Sequence, residues 1–162
     1  VSLPGTAFVA TLAALGDRFQ AATLGTPSGC PAVRAVYPVS AKAISNLPAV
    51  IFEVQDGEVV ANPGEWKHQW NVDVLLLLAK RPADPDRVET YRQGYLPYLL
   101  AATRKHLKLG LGSESGWSVD KAIPVGWEWT EYRVADIEYD AIRVPHTIYV
   151  TETVTPGVDI IP

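Results

Sequence analysis

Glu65-Trp66-Lys67-His68-Gln69-Trp70-Asn71-Val72-Asp73-Val74-Leu75-Leu76-Leu77-Leu78-Ala79 decides how the rest of the chain is read. Trp66, His68, Trp70, Val72 and Val74 alternate with Lys67, Gln69, Asn71 and Asp73. A period of two sends these sets to opposite faces of a β-strand. The alternation stops at Leu75-Leu76-Leu77-Leu78, which is apolar on both faces. A strand that starts amphipathic and ends uniformly apolar runs from an exposed region into a covered core. The stretch therefore predicts one long strand, half solvated at its start and buried at its end.

Upstream, Ala49–Gln55 and Glu58–Ala61 read as two strands around Asp56-Gly57, a strong hairpin signal. Asn62-Pro63-Gly64 makes a further turn. Leu47-Pro48 forces an extended approach to the first of these strands. Val33 to Tyr37 is a short strand ended by Pro38, residues 39 to 48 are irregular, and Thr26 to Pro31 is loop. Residues 6 to about 23 read as an amphipathic helix, with Phe8, Leu12, Leu15 and Phe19 on one face. Thr6 is its expected N-cap and Gly25 its stop signal. Ala10, Ala13, Ala14, Ala21 and Ala22 give it small surfaces that another backbone can approach.

Downstream, Asp84 is a good N-cap and Pro85 suits the first position of a second helix. Its apolar side carries Val88, Tyr91, Tyr95, Tyr98, Leu99, Ala102 and Leu107. Gly94 and Pro97 interrupt it, which predicts a kink or two shorter helices. Gly110, Gly112, Ser113, Ser115 and Gly116 form a flexible loop. The chain then returns to strands at roughly 117–124 and 127–134, with a final pair at 136–143 and 146–154. No internal repeat or domain boundary is visible. The expected fold is α+β: one domain spanning 1–162, mainly antiparallel sheet, packed against two helices of which the second is kinked. An extended hairpin, an N-terminal arm (1–5) and a C-terminal arm (155–162) complete it.

Composition narrows the function classes. At 162 residues, with 48% hydrophobic and 20% charged residues, the chain can bury a core without disulfides or a structural metal. Five Trp and seven Tyr against three Phe suit interfaces as well as cores. The net charge of −4 and a pI near 5.3 argue against gripping a phosphate backbone. Any relation to DNA is then passage or proximity. The single cysteine, Cys30, excludes an intramolecular disulfide and a thiolate metal cluster. No neighbour in sequence marks it as a reactive thiol. The opening Val1-Ser2-Leu3-Pro4-Gly5 lacks a basic region and a long apolar run, so no signal peptide is expected. No stretch is apolar enough to span a bilayer. A soluble protein made in a cytoplasm is the expectation.

No catalytic, cofactor or metal site emerges. His68, His106 and His146 fall in different elements without ligand spacing. Ser113-Glu114-Ser115, near Asp120, lacks a base and a nucleophile elbow, so it reads as solvated loop. Gly110-x-Gly112-x-x-x-Gly116 follows a helix and precedes a strand, the reverse of a phosphate-binding context. Glu128, Glu131, Asp136, Glu138 and Asp140 make the C-terminal third acidic. Glu138 and Asp140 share a strand face, where paired carboxylates can do acid–base work, but a solvated acidic face is the better reading.

The order helix, strands with a long hairpin, interrupted helix, Gly-rich loop and strands resembles the tail terminator (tail completion) proteins of long-tailed bacteriophages. The residues that carry it are the N-terminal helix, Leu47-Pro48-Ala49-Val50, the strand Trp66 to Leu78, Pro82-x-Asp84-Pro85 with the helix ending near Leu107, and strands around Gly126-Trp127 and Tyr139. The resemblance is one of layout over nearly the whole chain, and the family has no catalytic signature. It implies a hexameric ring in the neck of the virion that caps the finished tail tube and stops its polymerisation. The ring would also join the tube to the head-completion (stopper) protein, with DNA passing through unbound. Partners would be other copies of the chain, the tube protein and the stopper, with no cofactor and no membrane. Trp66, His68, Trp70, Asp56 and Gly57 are the expected subunit or partner contacts. Residues 26–46 and the tail from Thr155 match no family pattern. The alternatives are another head–tail connector or minor tail protein and, from a different class, a small enzyme or ligand-binding domain with a Trp/Tyr-lined pocket.

Overall fold

A computed structural model describes residues 4–38, 41–112 and 116–154, with side chains from Ala7 onward. In chain order the elements are α1 (Pro4–Ala22), a 3₁₀ turn (Thr23–Gly25), β1 (Ala35–Tyr37), β2 (Ala49–Asn62), β3 (Glu65–Lys80), α2 (Pro85–Ala101), β4 (Trp117–Pro124), β5 (Glu128–Val134) and β6 (Ile137–Thr153). They form the expected α+β fold. The sheet runs β1-β2-β3-β6-β4, with β5 also on β6. All pairs are antiparallel except β1 with β2.

β3 behaves as its alternation dictates. Val72, Val74, Leu76 and Leu78 face the helices and join Leu12, Leu15, Phe19, Tyr91, Tyr95 and Leu99 in the main core. Leu75 and Leu77 face the other way, into a smaller core with Ile51, Val134, Tyr139 and Ala141. Tyr37, Ile44 and Leu47, from the irregular segment and its flanks, pack on that second core. The Leu run is thus covered on both sides, and each fully buried leucine is worth roughly 1.5–3 kcal/mol of transfer free energy. α1 lies on β1 and β2, α2 on β3 and β6, and the helices touch each other.

Asp84 caps α2 as expected, accepting from the Asp86 amide at 3.1 Å, with Pro85 following. α2 runs as one helix through Gly94 and Pro97 rather than as two. Pro97 is exposed, so the Gln93 carbonyl that lacks its i+4 donor sits on the solvent side. Gly94 is needed: a Cβ there would collide with Cys30 Sγ. Leu107 departs from expectation, being 44% exposed in the turns after the helix. Leu109 takes the core place instead. The loop before β1 is tied down by the Tyr95 hydroxyl, which donates to the Pro31 carbonyl.

Three boundaries differ from the sequence reading. α1 starts at Pro4, where proline's fixed φ and missing N–H suit a first turn, so Thr6 lies inside the helix rather than at its N-cap and residues 4 and 5 are not part of an arm. Asp56-Gly57 is not a turn. β2 is a single strand through it, and the ladder to β3 shifts between Val54 and Gly57, a β-bulge. The turn lies at Asn62–Glu65, where Pro63 and Gly64 (φ +82°) reverse the chain. The expected strands 136–143 and 146–154 are one strand, β6, which runs straight through Pro145. Pro145 is tolerated because of where its missing N–H falls. On that side of β6, β5 pairs with Ile137–Arg143 and β4 with His146–Glu152, so Pro145 meets the gap between them. Its carbonyl accepts from Val125, which bridges the two strands. The Thr6 side chain, Ser113-Glu114-Ser115 and both terminal arms (1–3 of the first, 155–162) lie outside the described residues.

Candidate functional site

β2 and β3 continue as a long paired arm beyond Val54 and Val72, and the arm is not free-standing: β3 stays paired with β6 out to Thr153, and β6 in turn with β4. The arm's register is set by the bulge, which is held on both sides. Gln55 Nε2 donates to Glu53 (2.7 Å) and Asp73 (3.0 Å), and Asn71 donates to Asp56 (2.7 Å). Gly57 pairs with Trp70, and a Cβ at Gly57 would press on the Gln69 carbonyl oxygen, so the close approach of the strands requires glycine. Beyond the bulge the facing of β2 inverts, and Gly57, Val59 and Ala61 lie opposite Trp70, His68 and Trp66.

The five expected contact residues therefore belong to this one arm. Trp66, His68 and Trp70 share the helix-side face, their rings 6.4 and 6.1 Å apart in sequence. Trp70 is the inner end of the row, edge-on to Phe8 of α1 at 4.9 Å. His68 is fixed by Glu152 on β6, Nε2 to Oε2 at 2.7 Å. Between this row and α1 is a cavity of about 190 Å³ lined by Phe8, His68, Trp70, Trp117 and Glu152. Asp56 is exposed at the bulge rather than at a tip.

The outer side of the arm is open. β1 pairs only with Ala49, Val50 and Ile51, so among the described residues no strand lies beyond the rest of β2. Val54, Val59 and Val60 are 51%, 52% and 59% exposed there. At the opposite margin of the sheet, the outer edge of β4 is bonded to the turns after α2, Val119 and Ala122 donating to the Leu111 and Leu107 carbonyls, whereas among the described residues no strand lies beyond β5. That margin exposes Trp127 and Trp129, in contact at 5.0 Å, with the Arg92 guanidinium over Trp129.

Most acids of the C-terminal third, with Glu53 and Asp73, are paired with arginines. On the face away from the helices, Arg143 donates to Asp73 (2.7 Å) and Glu53 (3.2 Å). Its Nε is 3.0 Å from Glu128 but misaligned for a hydrogen bond, so that contact is ionic only. Burial pushes the Glu53 carboxyl up, yet hydrogen bonds from Gln55 and Arg143, with the guanidinium charge, outweigh it and hold the group below the usual range. Glu131 and Asp140 face Arg81, and Glu138 pairs with Arg133 at 2.8 Å. The acidic third is thus an acid–arginine lattice rather than a pair of free carboxylates.

His146 is in the main core, edge-on to Phe19 at 5.4 Å. Its Nδ1 donates to the Val144 carbonyl (2.9 Å), Nε2 has no partner, and burial drives its pKa down to about 4. His106 is exposed, and among the described residues no three His, Cys, Asp or Glu side chains converge as a metal site. Cys30 is buried against α2, its thiol pushed up in pKa by that burial. No described helix is long and apolar enough to cross a membrane.

Sequence reasoning missed Phe8, Trp117 and Glu152 as neighbours of the aromatic row. Strand parity alone could have put Glu152 on the helix side with Val144, His146 and Val150. Trp117 needed the β4–β6 register, which pairs it with Glu152. No protein-family model matches the chain, and a search of curated proteins finds no match.

Proposed function

We propose that the chain is a structural subunit that assembles with copies of itself into a closed ring, and that the ring is the tail terminator of a long-tailed bacteriophage. The observation that supports assembly best is the pair of open sheet margins among the described residues, β2 beyond Ile51 on one side and β5 on the other. Unpaired strand edges are templates for pairing with another chain. Two different edges on one subunit make the contact between copies heterologous, and heterologous contacts close into rings when the rotation allows. Both margins carry exposed large apolar side chains, the valines of β2 and the Trp127–Trp129 pair.

The tail-specific part rests on the layout of elements. In this reading the subunit does no chemistry. It caps the tube, presents a surface that cannot seed another tube ring, and joins the stopper protein. The net charge of −4 suits a channel that DNA traverses without sticking. The test is negative-stain imaging of the purified protein, alone and added to polymerising tail tubes. Rings with a central hole, and tubes that stop growing with rings at their ends, are expected. Tubes that keep growing beside uncapped ends would overturn the proposal.

A further inference from the structure

The cavity beside α1 differs in chemistry from the open sheet margins. Its walls include the rings of Phe8, Trp70 and Trp117, and among the described residues its one acidic group is Glu152, with His68 beside it. Glu152 is 9% exposed, and among the described residues His68 is its one hydrogen-bond partner, taken up by a single oxygen. At about 190 Å³ the space is below the roughly 300 Å³ at which pockets begin to hold drug-sized ligands, and it suits a single head group.

Aromatic faces attract cations through their quadrupoles, more strongly when the site is shielded from water, and a carboxylate adds to the attraction. We infer that this cavity is a binding site for an organic cation, an alkylammonium or guanidinium group, held against the Trp70, Trp117 and Phe8 rings with Glu152 as its counter-charge. The group can come from a free small molecule or from a side chain of a protein partner. The inference does not depend on ring formation.

The test is NMR titration of the five tryptophan indole N–H signals. Four probes are used: choline, its neutral isostere 3,3-dimethyl-1-butanol, N-acetylarginine amide and its neutral isostere N-acetylcitrulline amide. At least one cation should saturate, shifting the Trp70 and Trp117 signals, and its neutral partner should bind about tenfold more weakly or worse. Choline binding alone points to a free ammonium, and arginine binding alone to a partner's side chain. Glu152→Gln keeps the shape and should weaken the cation by a similar factor while leaving the neutral probe unchanged. No saturation by either cation, equal binding of cation and isostere, or full cation affinity in a folded Glu152→Gln protein would overturn the inference. The wild-type comparison of cation with isostere stands even if that variant fails to fold.

Discussion

β2 and β3 each pass through two environments. In the inner half, Val50, Ile51 and Leu75 to Leu78 are covered on both faces. In the outer half of the same strands, Val54, Val59 and Val60 are more than half exposed. β3 keeps the same two neighbours, β2 and β6, through both halves, and β2 loses only β1 beyond Ile51. What changes is the layer laid over them. The 19-residue α1 is roughly 28 Å long at 1.5 Å per residue, whereas the 16 residues of β3 reach roughly 53 Å. The strands outrun their cover, and the excess becomes a surface without a partner. Burial is thus a property of layers, and a strand longer than its layer is a place to look for function.

If the inner half alone carries folding, truncations there should be severe. Leu76→Ala, at a position 1% exposed, is expected to lower unfolding free energy by about 2–5 kcal/mol, read from denaturant titration. A loss below 1 kcal/mol would break the comparison.

The main core also contains a titratable group, which makes the inner half sensitive to acid. His146 has a folded pKa of about 4 against 6.5 unfolded, so the unfolded chain binds the proton more readily. The stability tied to its neutral form is whole above pH 6.5 and is lost as pH falls towards 4. The loss amounts to about 3 kcal/mol at pH 4. Stability measured from pH 7 to 4 in wild type, minus that of His146→Leu, should show this slope. Parallel curves would contradict it.

Substitution on the outer half should leave folding almost alone. Val60→Lys, on the exposed edge strand, is expected to change stability by no more than about 0.5 kcal/mol. A much larger loss would mean that the arm is part of the folding unit.

The division between the halves was legible in Trp66 to Leu78, because side-chain period reports directly on which faces are covered. α1 and the Asp84-Pro85 start of α2 were legible for a similar reason, being set by local chemistry. Asp56-Gly57 misled because the same dipeptide suits a tight turn and a bulge, and only the length of β3 opposite decides between them. Pro145 misled because a missing N–H breaks a strand only if a partner needs it, and here it falls between β4 and β5. Of the candidate site, the shared face of Trp66, His68 and Trp70 could be read from alternation. The cavity could not, since Phe8, Trp117 and Glu152 are remote in sequence and converge only through packing.

The most direct measurement is sedimentation velocity of wild type and Val60→Lys across a wide concentration range. If the open margins join copies of the chain, wild type should shift with concentration towards one closed multiple of the subunit mass. Val60→Lys should then remain monomeric with the same melting temperature, since a charge on the edge opposes strand pairing. A wild type that stays monomeric throughout, or a variant that assembles as readily, would contradict the proposal that the sheet edges build the ring.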